Sequence, residues 1–205
     1  MISWFKRADI VDENSALWLI DTFHWAVEYF DADIFKQQTS IILPTNEFFP
    51  GKVSSIEEMS QAIFSNVKRY AHIDAWPIIL QQPANYSPSV AAKLSNHITS
   101  RRLPQQLAPL LQLSVSFQPA QLNKPQDLIA HFALQLSHFV AVNINQKPPG
   151  GADYWSQALE VLACFFGFGI MQANSAYTFR GGCGSCYNAM ANRQPALTEL
   201  DSVFT

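Results

Sequence analysis

Residues 134 to 138 read Leu-Gln-Leu-Ser-His and come close to a pattern used by zinc hydrolases. That pattern, His-Glu-x-x-His, places two imidazoles one helical turn apart with a carboxylate beside the first. Only His138 is present, because Leu134 stands at the first histidine and Gln135 at the glutamate. Leucine has no lone pair for a metal, and an amide cannot take a proton from metal-bound water. We therefore expect no catalytic residue in this segment.

Glu160 is the second residue with chemistry to offer, because it lies in an apolar stretch where an unpaired carboxylate is costly. We expect it to meet His138, either through a hydrogen bond or as a remnant pair of metal ligands. The simpler alternative is a core histidine with its own partner and a carboxylate that is partly solvated or paired with an arginine. His131 lies about 10 Å before His138 along a helix. Two nitrogens on one zinc are at most about 4 Å apart, so the two histidines are not expected to share an ion.

Cys183 and Cys186 form a single Cys-x-x-Cys pair in a glycine-rich stretch. One such pair needs two further ligands to hold structural zinc, and no second pair supplies them. A redox pair is typical of a helix N-terminus, whereas this one follows a long apolar helix. We favour an inert turn, and a disulfide or redox pair and a metal site stay open.

Two long apolar helices are predicted to position these residues. Residues 125 to 144 carry apolar side chains on nearly every face, and Pro125 suits a first helical turn. A turn at residues 148 to 151 leads to a second such helix over residues 154 to 173, with Asp153 as its cap. Shorter elements are predicted as helices over residues 12 to 30, 54 to 71 and 195 to 204 and as strands over residues 39 to 43, 76 to 80 and 110 to 117. This is an α+β fold with a small strand layer packed on two central buried helices.

Length and charge limit the remaining possibilities. The 205 residues are 48% hydrophobic and fit one domain over residues 1 to 205, with an irregular segment at about residues 83 to 109. A net charge of -3 offers no basic footprint, so we expect no nucleic acid partner. The longest apolar run, residues 161 to 173, is short of the roughly 20 residues that cross a bilayer. With three cysteines and no signal-like run near residue 1, we expect a cytoplasmic protein outside the membrane.

Three segments resemble a little-described bacterial family of zincin-like metallopeptidase relatives. They are LPTNEFFPGK (43–52), LIAHFALQLSHF (128–139) and ALEVLACFFGFGIMQANSAY (158–177). In that family one helix carries Ala-His-Glu-Leu-x-His, and a later helix carries an acidic residue before a Gly-containing apolar run and Ala-Asn. The resemblance implies a zincin-like fold, with His138 as the second histidine and Glu160 as a third zinc ligand. The first histidine falls on Leu134 and the glutamate on Gln135.

A catalytically inactive zincin-like protein is the function that these features predict, with no cofactor and a binding or scaffolding role toward an unknown protein or peptide. We expect a monomer or a weak homodimer. One alternative is a metal-dependent hydrolase that has rebuilt its site from His138, Glu160 and a further ligand such as His97 or His72. Another is that the loop with Cys183 and Cys186 does the work, through redox chemistry or a metal.

Overall fold

The structure is a computed structural model, which describes residues 11–51, 54–81, 113–117, 123–144, 146–176 and 196–205. It is mostly helical and has one two-stranded parallel sheet, so the α+β prediction is confirmed in this coarse form. The elements are α1 (Glu13–Tyr29), α2 (Ala32–Gln38), α3 (Ile56–Tyr70), β1 (Ile78–Leu80), β2 (Leu113–Val115), α4 (Pro125–Ile144), a 3₁₀ turn (Gly151–Tyr154), α5 (Trp155–Ala163), a π-helical segment (Cys164–Phe168), α6 (Gly169–Ala176) and α7 (Glu199–Phe204). The predicted irregular segment, residues 83 to 109, lies outside the described residues.

Helix α4 is the centre of the fold and has the bounds that the sequence predicts. It contacts α3, α5 and α6. Its buried apolar side chains belong to the main core, together with residues of α3, of the π-helical segment and of β2. Burial of a large apolar side chain is worth about 1.5 to 3 kcal/mol. Helix α4 supplies more of the buried apolar side chains of this core than any other described element.

The second core helix is broken, although the sequence predicts one helix over residues 154 to 173. A 3₁₀ turn precedes α5, and Tyr154 rather than Asp153 is its N-cap residue, without a side-chain hydrogen bond. The π-helical segment then separates α5 from α6, and Gly167 within it has φ of 99°. This positive φ favours glycine, which has no Cβ to clash with the backbone.

Residues 39 to 43, which the sequence predicts as a strand, lie against the break between α5 and α6. Their side chains do alternate, since Ile42 is buried while Ile41 and Leu43 are exposed. The strand prediction is nevertheless wrong, because the backbone N–H of Ile42 donates to the carbonyl of Gly167, 2.9 Å away, and no ladder forms. The extended segment is held by a helix carbonyl instead of a neighbouring strand.

The small sheet consists of β1 and β2, which pair in parallel with Ile78 opposite Leu113. The predicted strands at residues 76 to 80 and 110 to 117 are confirmed in place, shorter at both sites, with residues 110 to 112 outside the described part. The His131 ring connects the sheet to α4, since its Nε2–H donates to the carbonyl of Ser116 at 2.8 Å. That hydrogen bond fixes the tautomer, because a carbonyl can only accept.

Two helices begin at residues whose side chains accept backbone N–H groups of the first turn. The Asp12 carboxylate accepts the N–H groups of Asn14 and Ser15 and begins α1, and Ser55 caps α3. On α1, Leu17 and Ile20 are exposed although both are large apolar residues. Helix α2 is an element that the sequence analysis does not predict.

Within the described part of the chain, two helical stretches are long and apolar enough to cross a bilayer by length and composition, namely Pro125–Ile144 and Gly151–Ala176. The prediction that every apolar run is too short for this therefore does not hold. Length is weak evidence for a membrane, since buried core helices have the same composition. Within the fold, 67% of the most apolar part of Pro125–Ile144 is buried, and so is 72% of that of Gly151–Ala176.

Candidate functional site

The two departures from the zinc pattern lie on α4 and contribute packing. Leu134 is half-buried and packs against the main core. Gln135 is also half-buried, and its amide makes no hydrogen bond within the described part of the chain. Neither residue offers a metal ligand or a base, as the sequence analysis expects from their chemistry.

His138 faces the helix that follows it. Its half-buried ring meets the ring of Trp155, the first residue of α5, in an edge-to-face contact with 6.4 Å between the ring centroids. Burial removes water from the imidazolium and lowers the pKa of His138 below its ordinary value. At neutral pH the ring is therefore uncharged and acts as a packing partner of the tryptophan.

Glu160 is buried in α5, with 1% of its surface exposed, and its two carboxylate oxygens accept backbone N–H groups. Its Oε1 accepts the backbone N–H of Ala196 at 3.0 Å, and its Oε2 accepts that of Leu197 at 2.9 Å. Among the described residues, no hydrogen bond joins Glu160 to His138. Through these two hydrogen bonds the carboxylate holds the segment of residues 196–205 against the core.

This arrangement does not fit a catalytic zinc, which needs three protein ligands and an open position. Both oxygens of Glu160 accept backbone N–H groups, and Leu134 has no lone pair. His72 follows α3, and its Nε2–H donates to the carbonyl of Gln38 at 3.4 Å. Among residues 11–51, 54–81, 113–117, 123–144, 146–176 and 196–205, no three His, Cys, Asp or Glu side chains converge. His97, Cys183 and Cys186 lie outside these ranges.

We predict that the pH dependence of stability contains a contribution from His138. Its folded pKa lies below its unfolded value of about 6.5, so the unfolded chain binds the proton first. The contribution is fully present above pH about 6.5 and is lost as the pH falls through the folded pKa. Urea unfolding between pH 5 and 8 should therefore show a smaller loss of stability toward acid in His138→Gln than in the unaltered chain.

The control for this measurement is His24→Gln, because the His24 side chain is exposed on α1. We expect that variant to lose stability toward acid as the unaltered chain does. An identical pH profile in His138→Gln and the unaltered chain would contradict the prediction.

A cleft of about 370 Å³ lies between the loop before α3, α3 itself and the first turns of α4. Sequence reasoning missed it, because its walls come from segments far apart in the chain. Two of the three segments quoted above contribute to its lining, residues 43–52 and, through Ile129, residues 128–139. The described lining consists of Pro44, Thr45, Asn46, Phe49, Pro50, Gly51, Met59, Ala62, Ile63, Asn66, Pro125, Gln126 and Ile129.

The cleft combines apolar side chains with amides and carries no Asp, Glu, Lys, Arg, His or Cys among its described lining residues. Phe49, Met59, Ile63 and Ile129 supply apolar surface, and Met adapts readily to different shapes. Among the described lining residues, only the hydroxyl of Thr45 could act as a nucleophile, and no acidic or basic side chain of that set could activate it. It has the composition of a binding site, in which a few polar groups orient a ligand on an apolar surface.

The three amides of the cleft differ in how they are used. Asn66 is occupied, since its Nδ2 donates to the carbonyl of Ala62 and its Oδ1 accepts from Arg69. Gln126 accepts from Asn174 through Oε1 at 2.9 Å, so its NH₂ group is left to donate. Asn46 is exposed and makes no side-chain hydrogen bond within the described ranges. One donor and one complete amide are therefore available to a ligand.

Comparison with known proteins adds no relative. No protein-family model, no curated protein and no solved structure matches the chain. The resemblance to zincin-like proteins therefore stays a prediction from three sequence segments, and function has to be argued from the described residues themselves.

Proposed function

We propose that this chain is a catalytically inactive, zincin-like protein that binds an uncharged segment of a peptide or protein in the cleft beside α3 and α4. The observation that carries the proposal is the lining of that cleft, which is apolar with free amide groups and has no charged side chain among the described residues. A charged ligand would lose its hydration there without gaining a partner.

The loss of catalysis is supported by the motif helix. Leu134 and Gln135 replace a ligand and a base, and the burial of His138 keeps its imidazole uncharged. Glu160, the position that resembles a third zinc ligand, uses both carboxylate oxygens to hold backbone N–H groups. Among the described residues, Leu134 and His138 therefore contribute packing and Glu160 holds backbone N–H groups.

A peptide suits the cleft because an amide side chain can donate to a carbonyl and accept from an N–H group at the same time. Asn46 can pair in this way with one peptide unit, while the NH₂ group of Gln126 donates to another. Apolar side chains of the peptide would cover Met59, Ile63 and Ile129. The volume of about 370 Å³ lies within the range of ordinary ligand sites.

The test places a large side chain in the cleft and measures how much the affinity for a selected peptide falls. Peptides are selected from a displayed random library on the unaltered protein, and their affinities are measured by calorimetry. Ala62 lines the cleft, so Ala62→Phe should weaken binding by at least about tenfold, equal to about 1.4 kcal/mol. Ser65→Phe is the matched control, since Ser65 is exposed on the same helix and is not part of the lining.

Two results would overturn the proposal. Equal affinity in the Ala62→Phe and Ser65→Phe variants would place the peptide elsewhere, and a selection dominated by charged peptides would contradict the neutral lining.

Metal analysis of protein purified without added zinc tests the alternative of a metal-dependent hydrolase, because one zinc per chain would mean a rebuilt site. Zinc binding gained only in the double variant Leu134→His, Gln135→Glu would support the inactive, zincin-like origin.

The proposal also includes a cytoplasmic location and a monomer or weak homodimer. Three cysteines in 205 residues suit a reducing compartment. The burial of most of both long apolar helices inside the fold is consistent with that location.

A further inference from the structure

Tyr70 is the last residue of α3 and lies one turn beyond the cleft-lining Asn66, on the same face of the helix. Its hydroxyl donates to the backbone carbonyl of Phe48 at 2.7 Å. Phe48 belongs to residues 44–51, which we call the cleft loop because most of its residues line the cleft. Tyr70 is not among the described lining residues, so it acts on the cleft through the loop that forms one of its walls.

The cleft loop has few attachments to the rest of the fold. Its backbone hydrogen bonds are local, since the N–H groups of Phe48 and Phe49 both donate to the carbonyl of Thr45. Among the described residues, the hydroxyl of Tyr70 makes the one hydrogen bond that joins this loop to a helix or strand. Most of the loop is exposed, and only Phe48 and Phe49 are half-buried. The position of the loop therefore depends on these two side chains and on their contacts with Tyr70.

The ring of Tyr70 contacts both phenylalanines. It meets Phe48 and Phe49 edge to face, with 5.7 Å and 6.1 Å between the ring centroids. This geometry is favourable because the positive edge of one ring faces the negative face of the other. Phe49 lines the cleft, so Tyr70 holds in place the largest apolar side chain that the cleft loop contributes to the lining.

Arg69 fixes the orientation of Tyr70 in turn. Its Nη2 donates to the Tyr70 hydroxyl at 2.9 Å and to Oδ1 of Asn66 at 2.7 Å. The guanidinium carbon also lies 4.6 Å from the centre of the Tyr70 ring, which is a cation–π contact. Because the hydroxyl accepts from Arg69, its own proton is free to be donated to the carbonyl of Phe48. A chain of hydrogen bonds thus joins Asn66 in the cleft wall to the cleft loop.

We propose that Tyr70 is a positioning residue of the cleft, which holds the cleft loop and Phe49 where a bound peptide segment contacts them. This role rests on the proposed function, because it concerns the same cleft. A peptide that fits one position of the loop binds more weakly in proportion to the fraction of molecules that hold that position. Without the hydroxyl, the loop keeps its ring contacts and loses its hydrogen bond to α3, so this fraction should fall.

The experiment compares Tyr70→Phe with Tyr29→Phe. Each variant removes one hydroxyl from a half-buried tyrosine, and Tyr29 lies on α1, outside the described lining. The probe is the library-selected peptide that is used with Ala62→Phe. Its affinity, measured by calorimetry, should fall about threefold to tenfold in Tyr70→Phe and stay unchanged in Tyr29→Phe.

Hydrogen exchange provides a second readout on the loop itself. The amides of Phe48 and Phe49 should exchange about threefold to tenfold faster in free Tyr70→Phe than in the free unaltered chain. Saturating peptide should slow both proteins to the same rate, since its contacts then hold the loop. A purely structural role of Tyr70 would raise the exchange rate without making it depend on the peptide.

The outcomes separate this role from the proposed function. If Ala62→Phe weakens binding while Tyr70→Phe does not, the peptide occupies the cleft and Tyr70 does not position it. Equal exchange at Phe48 and Phe49 in free Tyr70→Phe and the free unaltered chain would show that the hydroxyl does not hold the loop. Unchanged affinity in both Ala62→Phe and Tyr70→Phe would overturn the proposed function and this role together.

Discussion

Replacing Gly167 with alanine is expected to destabilise the fold by about 3 to 5 kcal/mol, the largest effect of any single substitution considered for this chain. The φ of 99° at Gly167 is a conformation that a residue with a Cβ adopts only under strain. The added Cβ would also lie 2.3 Å from the backbone oxygen of Ser40, a distance at which the backbone has to move. Denaturation by urea measures the loss directly.

The consequence reaches beyond the glycine, because its carbonyl accepts the N–H of Ile42. That hydrogen bond holds residues 39 to 43 against the break between α5 and α6. A shift of Ser40 away from the new Cβ would pull this bond apart and expose the buried side chain of Ile42. The free energy of unfolding of a natural domain is only about 5 to 15 kcal/mol, so the substitution would remove a large share of the stability of this fold.

Gly169→Ala is the matched control, two residues further on at the first position of α6. A Cβ there would lie 3.7 Å from the Cβ and Sγ of Cys164, which is ordinary contact. Because φ at Gly169 is helical, alanine should be neutral or stabilise by about 0.5 to 1 kcal/mol. A Gly167→Ala variant that unfolds at the same urea concentration as the control would contradict the account of the helix break.

The sequence predicts helices best where the start of each carries a specific chemical signal. Helix α4 begins at Pro125, as predicted, and α3, predicted from residue 54, begins at Ile56 with Ser55 as its cap. Both signals are local, since a cap or a missing N–H acts on the next turn of the same helix. Elements of this kind need no knowledge of the rest of the fold.

Alternation of exposed and buried residues is a weaker signal. Residues 39 to 43 alternate as a strand does, and yet their partner is the carbonyl of Gly167 in a helix. An alternating pattern reports an extended segment with one buried side, without reporting what it pairs with. The same limit applies to α7, whose apolar residues keep helical spacing while Ser202 occupies the inner face.

The candidate site shows a third limit. Residue types were enough to exclude a metal ligand at Leu134 and a base at Gln135. They could not reveal that Glu160 binds the backbone of Ala196 and Leu197, because every residue has an N–H group and none stands out in the sequence. The cleft was missed for a related reason, since it is formed by a loop, α3 and α4 together.

Glu160→Gln is expected to cost about 2 to 3 kcal/mol of stability and to release residues 196–205 from the core. The carboxylate accepts one backbone N–H group on each oxygen. An amide keeps one acceptor and turns its NH₂ group toward the other backbone N–H, so two donors face each other in a buried place. Urea unfolding measures the total loss, and hydrogen exchange at Ala196 and Leu197 measures the local release.

Glu57→Gln is the control, because Glu57 is an exposed acid in the first turn of α3. Its loss should cost only the few tenths of a kcal/mol that a charge contributes near a helix N-terminus. If Glu160 served a metal instead, the Gln variant would lose bound metal while exchange at Ala196 and Leu197 stayed slow. Faster exchange at those two amides, with no change in metal content, is the outcome that the buried hydrogen bonds require. Unchanged exchange at both would refute the structural role of this carboxylate.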